Sequence, residues 1–363
     1  MSSDAEVVVV GAGVTGVAAA RALARDGCRT LLVEQHELGH HHGSSHGASR
    51  IFRLAYPDAR YVSLAREAQR GWLELEAGIG SPLVIRTGSL DVGDLAIENA
   101  SALEACGIRF ELLDGRTAAR RWPITLAPHE HVLFHPDGGT MLADRAIEAL
   151  LAEAREAGAE LLEQTRVTEL RADRDAIGLQ IGDDVVKAHA VVVAAGAWAR
   201  QLLAPLGYEL DVVATRETVS YFDLPGASEL PTVIDYSLLP PGPIDGMQAS
   251  YGLAAPGIGL KAGLHRGGSP TDPDLLGEPE PALVEWTQEW VARRFPDADP
   301  TPLSSETCIY TNTADQSFVI ERFGRIVVAS ACSGHGFKFA PVHGDLIAAL
   351  VAEAVDSPSY SSR

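Results

Sequence analysis

Three groups of residues in this chain have the types and spacing to do chemistry. The first is Gly11-Ala12-Gly13-Val14-Thr15-Gly16, with Glu34 following 23 residues after Gly11. In such a run the first glycine permits a tight turn, the second lets backbone amides approach a pyrophosphate, and the third lets a helix pack closely on a strand. A helix opening at this point turns its partial positive end toward the pyrophosphate. Glu34 can accept hydrogen bonds from a ribose, and its carboxylate would repel a 2′-phosphate. NAD and FAD share this fingerprint, so the motif alone leaves the choice open. The second group is cationic: Arg53, and Lys338 between Phe337 and Phe339. The formal net charge is −20, so the surface repels phosphate backbones and nucleic acid is not an expected partner. A small anion would need a local pocket, in which Arg offers a planar fork and Lys a point charge. A surface salt bridge is the plainer reading of a lone Arg in so acidic a protein. The third is Cys308. A cysteine in an ordinary strand is usually a small buried hydrophobe, and it becomes chemically active only where nearby positive charge lowers its thiol pKa.

Other candidates are weaker. The four cysteines, Cys28, Cys106, Cys308 and Cys332, show no paired spacing, so neither a zinc site nor a disulfide framework is expected. His40-His41-His42 reads as a polar loop rather than a metal site, because consecutive histidines cannot all point one way and no carboxylate cluster accompanies them.

The elements that must position these residues follow from local pattern. Ala5–Val10 is an apolar run suited to a strand buried on both faces. Val17–Arg25 reads as an alanine-rich helix capped by Gly27, and Thr30–Val33 as the next strand. Strand character resumes at Asp184, and the apolar strand Ala190–Ala195 runs into Gly196-Ala197-Trp198. Helix Arg145–Ala157 carries Ile147, Leu150, Leu151 and Ala154 on one face. Near the end lie a strand, Arg325–Ser330, a glycine turn, Ser333-Gly334-His335-Gly336, and a helix, His343–Val355. At 363 residues and 46% hydrophobic the chain is too long for one small domain and suits one large or two interlocked domains with ample core. The expected fold is α/β in a two-domain (α+β) arrangement. A discontinuous Rossmann-like dinucleotide domain takes residues 1–83, 143–213 and 317–363. An inserted, mainly antiparallel-sheet substrate domain takes residues 84–142 and 214–316. Val7–Val10 is too short to span a bilayer and no basic n-region precedes it, so no membrane association and a cytoplasmic setting are expected.

With these motifs in hand, the chain resembles the monomeric sarcosine oxidase and N-methyltryptophan oxidase family of flavin amine oxidases over nearly its whole length. The likeness rests on the N-terminal fingerprint and on Gly43-Ser44-Ser45-His46-Gly47-Ala48-Ser49-Arg50-Ile51-Phe52-Arg53. It rests also on Gly259-Leu260-Lys261-Ala262-Gly263-Leu264-His265, Cys308-Ile309-Tyr310-Thr311 and Ser333-Gly334-His335-Gly336-Phe337-Lys338-Phe339. The resemblance implies FAD, held by Gly11, Gly13, Val14, Thr15, Gly16, Glu34, Ser45, Ser49, Arg50, Val167, Ala195, Gly196, Trp198, Gly334, Gly336, Phe337 and Lys338. It implies that Cys308 bonds to the flavin 8-methyl carbon (an S-cysteinyl link), with Cys332 the rival tether. Arg53 and Lys338 would grip a substrate carboxylate. Lys261 would promote reaction with O2, since an ammonium stabilises developing negative charge; without the resemblance it reads as a solvated turn residue. Tyr251 and His265 would face the substrate amine, and His46 and Arg50 would lie on the flavin side. The implied reaction oxidises a secondary or primary amino acid to an imine, which hydrolyses, and O2 becomes hydrogen peroxide. The implied enzyme is a monomer with a small amino acid and O2 as its partners. Related alternatives are a flavin dehydrogenase serving a protein or quinone acceptor, and a non-catalytic flavin-binding subunit. Two stretches depart from the family pattern: the proline-rich Leu238–Ser250 and Gly252-Leu253-Ala254, so sarcosine as substrate does not follow.

Overall fold

Val7, Val8, Val9 and Val10 are all buried, and the strand they form, Asp4–Val10, runs through the middle of a sheet. The computed structural model describes residues 4–173, 175–240, 248–275 and 277–356. The chain divides into two units. One comprises Met1–His46, Asp144–Ala214 and Ile309–Arg363, the other Gly47–Ala143 and Thr215–Cys308. The expected boundaries differ from this division. Residues 47–83 belong with the second unit, because the strand Ser49–Phe52 pairs with Gly139–Leu142 and not with the dinucleotide sheet.

In the first unit, Asp4–Val10 is flanked in parallel by Thr30–Val33 and by the long strand Asp184–Val193. Glu160–Leu162 and Ile326–Ser330 extend the parallel set on either side. Where these strands lie covered on both faces, at Val7–Val10, Ala190–Val193 and Ile326–Ala329, their sequences are unbroken apolar runs. Val167–Ala172, Ile177–Ile181 and Val319–Phe323 add antiparallel edges, giving eight strands among the described residues. Helix Val14–Arg25 starts three residues before the expected Val17, since extended Gly13 serves as its N-cap. Helix Ala340–Asp356 packs on it so closely that a Cβ on Gly344 would lie 2.5 Å from the Ala18 carbonyl oxygen.

The second unit is built on a nine-stranded sheet among the described residues. Its central order is Val213–Phe222, Gly259–His265, Ala249–Ala255, Thr232–Asp235 and Ser89–Val92, with Ser304–Asn312 beside Val213–Phe222. The sheet is mainly antiparallel, as expected, although Thr232–Asp235 and Ser89–Val92 run parallel. Directly opposed residues share a face, and the register separates two very different faces. Leu90, Val92, Val233, Phe222, Leu260 and Ala262 bury against Trp290, Val291 and Phe295 of helix Pro281–Arg294. That packing forms the unit's core. The other face carries the polar residues described next.

Candidate active site

The first unit forms a dinucleotide cradle. Gly11 adopts φ +99°, and a Cβ on Gly16 would lie 1.8 Å from the Gly11 carbonyl oxygen, so helix and turn meet with no space for a side chain. Glu34 is buried, and its Oε2 accepts from the Ala12 amide at 2.7 Å while Oε1 accepts from the His36 amide at 3.0 Å. His40 Nε2 lies 3.5 Å from Oε1. Burial opposes ionisation of Glu34, but the contacts from His40 and the two amides outweigh it and hold the carboxyl below its ordinary range. An ionised acid at the end of the second strand is the acceptor a ribose requires. The helix leaves its first amides without intrahelical partners. The Val14 amide is met by Ser45 Oγ at 3.0 Å. These features fit a dinucleotide with a 2′-hydroxyl.

The other expected cofactor residues of this unit fall around the same sheet. Val167 opens an edge strand at a bulge. Ala195 leads into the 3₁₀ turn Gly196–Trp198, and the Trp198 ring stands 6.2 Å from that of His36. Gly334 (φ +72°), Gly336, Phe337 and Lys338 follow the strand Ile326–Ser330, and Phe337–Phe339 form a 3₁₀ turn. Lys338 is buried, donates to the His335 carbonyl at 2.8 Å and sits over the Phe339 ring. His46 is buried with its ring 5.0 Å from that of His41. The histidine run is a loop, as expected, where His36 and His42 stack at 4.1 Å. It lines a cavity of about 680 Å³ with Gln35, Glu37 and Gln164. Cys332 Sγ accepts from the Thr311 amide at 3.4 Å and donates to Ser44 Oγ at 3.5 Å.

In the second unit, one face of the sheet gathers the chemistry. Tyr221 opposes Lys261, and Gly263 opposes Tyr251. Tyr251 opposes Ile234, which opposes Asp91. His265 shares the face with Lys261 by period two, and so do Glu306 and Cys308 on Ser304–Asn312. Lys261 is 6% exposed, which removes the solvated-turn reading. Gly47, at φ +93°, shows how tightly the groups converge: a Cβ there would lie 3.4 Å from Lys261 Nζ, 3.6 Å from Arg50 Nη1 and 3.9 Å from Glu306 Oε1. The Tyr221 hydroxyl donates to Glu306 Oε1, and the Lys261 ammonium stands 5.7 Å from the Tyr221 ring centroid. Burial, and then proximity to Cys308, pushes the Tyr251 phenol far above its ordinary range, so it stays protonated. Arg50 Nη1 donates to the Ser49 carbonyl at 2.8 Å, and Ser49 is buried.

Arg53 does not make a surface salt bridge. It is 9% exposed, with Nη1 donating to Asp91 Oδ2 at 3.1 Å and to the Tyr236 hydroxyl at 2.9 Å. Asn99 Nδ2 also donates to Asp91 Oδ2, at 2.6 Å, and the guanidinium lies 4.8 Å from the Tyr56 ring centroid. Sequence reasoning missed Asp91, Asn99, Tyr236, Tyr221 and Glu306. A signal for two of them existed: Asp91 and Glu306 are lone acids in strands, and period two places Glu306 beside Cys308.

The FAD dependent oxidoreductase family matches residues 6–350. This chain belongs to that family. It is 33% identical to the monomeric sarcosine oxidase of a Bacillus species (strain B-0618), over 96% of this chain and 93% of that one. It is 29% identical to the N-methyl-L-tryptophan oxidase of Salmonella arizonae, over 97% and 96%. It superposes on NikD, described as an unusual amino acid oxidase essential for nikkomycin biosynthesis, with a TM-score of 0.87, 27% identity and coverage of 99% and 96%. The oxidoreductase is therefore an FAD-dependent enzyme of amines or amino acids, and the dinucleotide its cradle fits is FAD. No helix among the described residues is long and apolar enough to cross a membrane.

Proposed function

We propose that the enzyme is an oxidase of a secondary or primary amino acid, with FAD attached through Cys308 and O2 as electron acceptor. The observation that carries this reading is the sheet face that gathers Tyr251, Lys261, His265 and Cys308 in the unit that buries Arg53. Bound FAD supplies the two-electron acceptor for the carbon–nitrogen bond. Arg53 holds the substrate carboxylate by charge-assisted hydrogen bonds, and Lys338 is its second cation. Protonated Tyr251 and the His265 imidazole orient the amine in its unprotonated form, the only form that can give up a hydride equivalent. Lys261 supplies the positive charge that favours reduction of O2. The product imine then hydrolyses in water. On this reading the first unit is the FAD-binding domain and the second the substrate domain, and the enzyme works as a monomer in the cytoplasm.

A second reading, a dehydrogenase serving a protein or quinone, has Glu306 behind it. A carboxylate beside Lys261 and Arg50 lowers the net positive charge offered to O2. A peroxide assay under air over N-methyl, cyclic, D- and L-amino acids separates the two. Stoichiometric hydrogen peroxide supports the oxidase. Substrate-reduced flavin that air does not reoxidise, but a quinone does, overturns it.

A further inference from the structure

Asp91 and Tyr236 converge on one nitrogen of Arg53, Asn99 braces Asp91, and none of the three belongs to the motifs that place Arg53 in the site. Asp91 is 1% exposed and Asn99 is fully buried. Asp91 Oδ2 accepts from both Arg53 Nη1 and Asn99 Nδ2, at 3.1 Å and 2.6 Å. Asp91 Oδ1 is buried and has no hydrogen-bond partner among the described residues. With Nη1 committed to Asp91 and Tyr236, Nε and Nη2 of Arg53 carry no partner among the described residues. That edge is the one able to take a carboxylate side-on, through two parallel hydrogen bonds. The guanidinium is also held from its ring side by Tyr56. Its orientation is thus fixed, and its charge is already balanced by a buried acid.

We propose that Asp91 is a positioning residue that aims Arg53 and, as its counter-charge, deliberately weakens the grip of Arg53 on a bound carboxylate. The inference rests on the reading of Arg53 as the carboxylate's ligand. A carboxylate on the Nε–Nη2 edge shares one cation with Asp91. Two anions on one guanidinium repel across a poorly solvated interior, and there that repulsion changes a binding constant by about ten- to a hundredfold. A grip tempered in this way lets the product acid leave as readily as the substrate enters. Burial pushes the Asp91 carboxyl upward against the pull of Arg53 and Asn99, which is the same competition seen from the acid's side.

The test is calorimetric titration of the FAD-loaded enzyme with acetate, using acetamide as the neutral isostere. Asp91→Asn keeps an oxygen for both hydrogen bonds and places its amide nitrogen where Oδ1 already lacks a partner. It therefore removes charge with little change of shape. Acetate should bind D91N about tenfold more tightly or better, with acetamide unchanged. Tyr236→Phe removes a hydrogen-bond acceptor but no charge, and should not tighten acetate. Should D91N fail to fold, Asp91→Ser carries the same test. Equal or weaker acetate binding by the charge-removed variant overturns the proposal, because an acid with a merely structural role cannot strengthen binding when lost. Arg53→Met tests the underlying assignment separately. If it costs no acetate affinity, or if acetate binds neither wild type nor variant, the role of Arg53 itself is refuted.

Discussion

Replacing Lys261 with Met removes an ammonium while keeping a long apolar stem in a buried position. The structure lets the size of the effect be worked out. Lys261 Nζ, Arg50 Nη1 and Glu306 Oε1 all approach the same point at Gly47, so the cluster has two cations and one anion. Its net charge of about +1 falls to about zero in the variant, because Glu306 then cancels Arg50. The field that favours electron transfer to O2 is therefore lost, not merely halved. An ammonium about 5 Å from a developing charge contributes about 3 kcal/mol at an effective dielectric of about 20, which is about two orders of magnitude in rate. Stopped-flow absorbance measures the two half-reactions apart. Reoxidation of the reduced enzyme by O2 should slow about a hundredfold, while anaerobic reduction by substrate should change no more than a few-fold. Lys261→Arg, which keeps the charge, should recover most of the reoxidation rate. If both half-reactions slow equally, Lys261 acts through the structure of the site and the electrostatic reasoning is wrong.

Three further outcomes are expected. After acid denaturation the wild-type polypeptide should keep flavin fluorescence and Cys308→Ser should lose it; loss from Cys332→Ser instead would move the tether to the rival thiol. His343 is buried, neither ring nitrogen has a hydrogen-bond partner among the described residues, and burial, aided by Lys338, pushes its pKa from 6.5 down to about 3. The unfolded chain therefore takes up a proton below pH 6.5 that the fold refuses until about pH 3, so stability drains away as pH falls through that window. Between pH 7 and 5, urea denaturation should cost the wild type about 2 kcal/mol more than His343→Leu, and parallel losses would refute this account. Arg294 is buried among Asp235 (2.7 Å), Glu130 (2.6 Å) and Ser237 (2.7 Å), and Asp235 also accepts from Trp290 Nε1 at 2.8 Å. Arg294→Met strands two carboxylates and should cost about 3–5 kcal/mol by the same assay; a loss below about 1 kcal/mol would show that water or rearrangement satisfies them.

What was legible in the sequence was local. The cradle from Gly11 to Glu34 could be read because strand, turn, helix and acid lie within one short segment, each fixed by its neighbours. Cys308, Lys261, His265 and Tyr251 could be singled out by motif, yet their convergence on one face depends on strand register, which no single segment contains. The missed residues share a property that explains the omission. Asp91 and Glu306 matter only through partners that the fold brings to them. Asp91 meets Arg53 from 38 positions away, and Glu306 meets Tyr221 from 85 positions away. Both are anions in a part of the site whose motif-bearing charged residues, Arg50, Arg53 and Lys261, are cations. A site assembled from Arg53, Arg50 and Lys261 alone is one built for the tightest hold on negative charge. With Asp91 and Glu306 in place, each end of it is reduced by one charge. Strong, uniform binding of substrate, product and reduced oxygen would slow release without speeding chemistry. On the proposed reading, buried Asp91 and half-buried Glu306 limit that binding, and the catalytic consequence of the fold lies in where it places them.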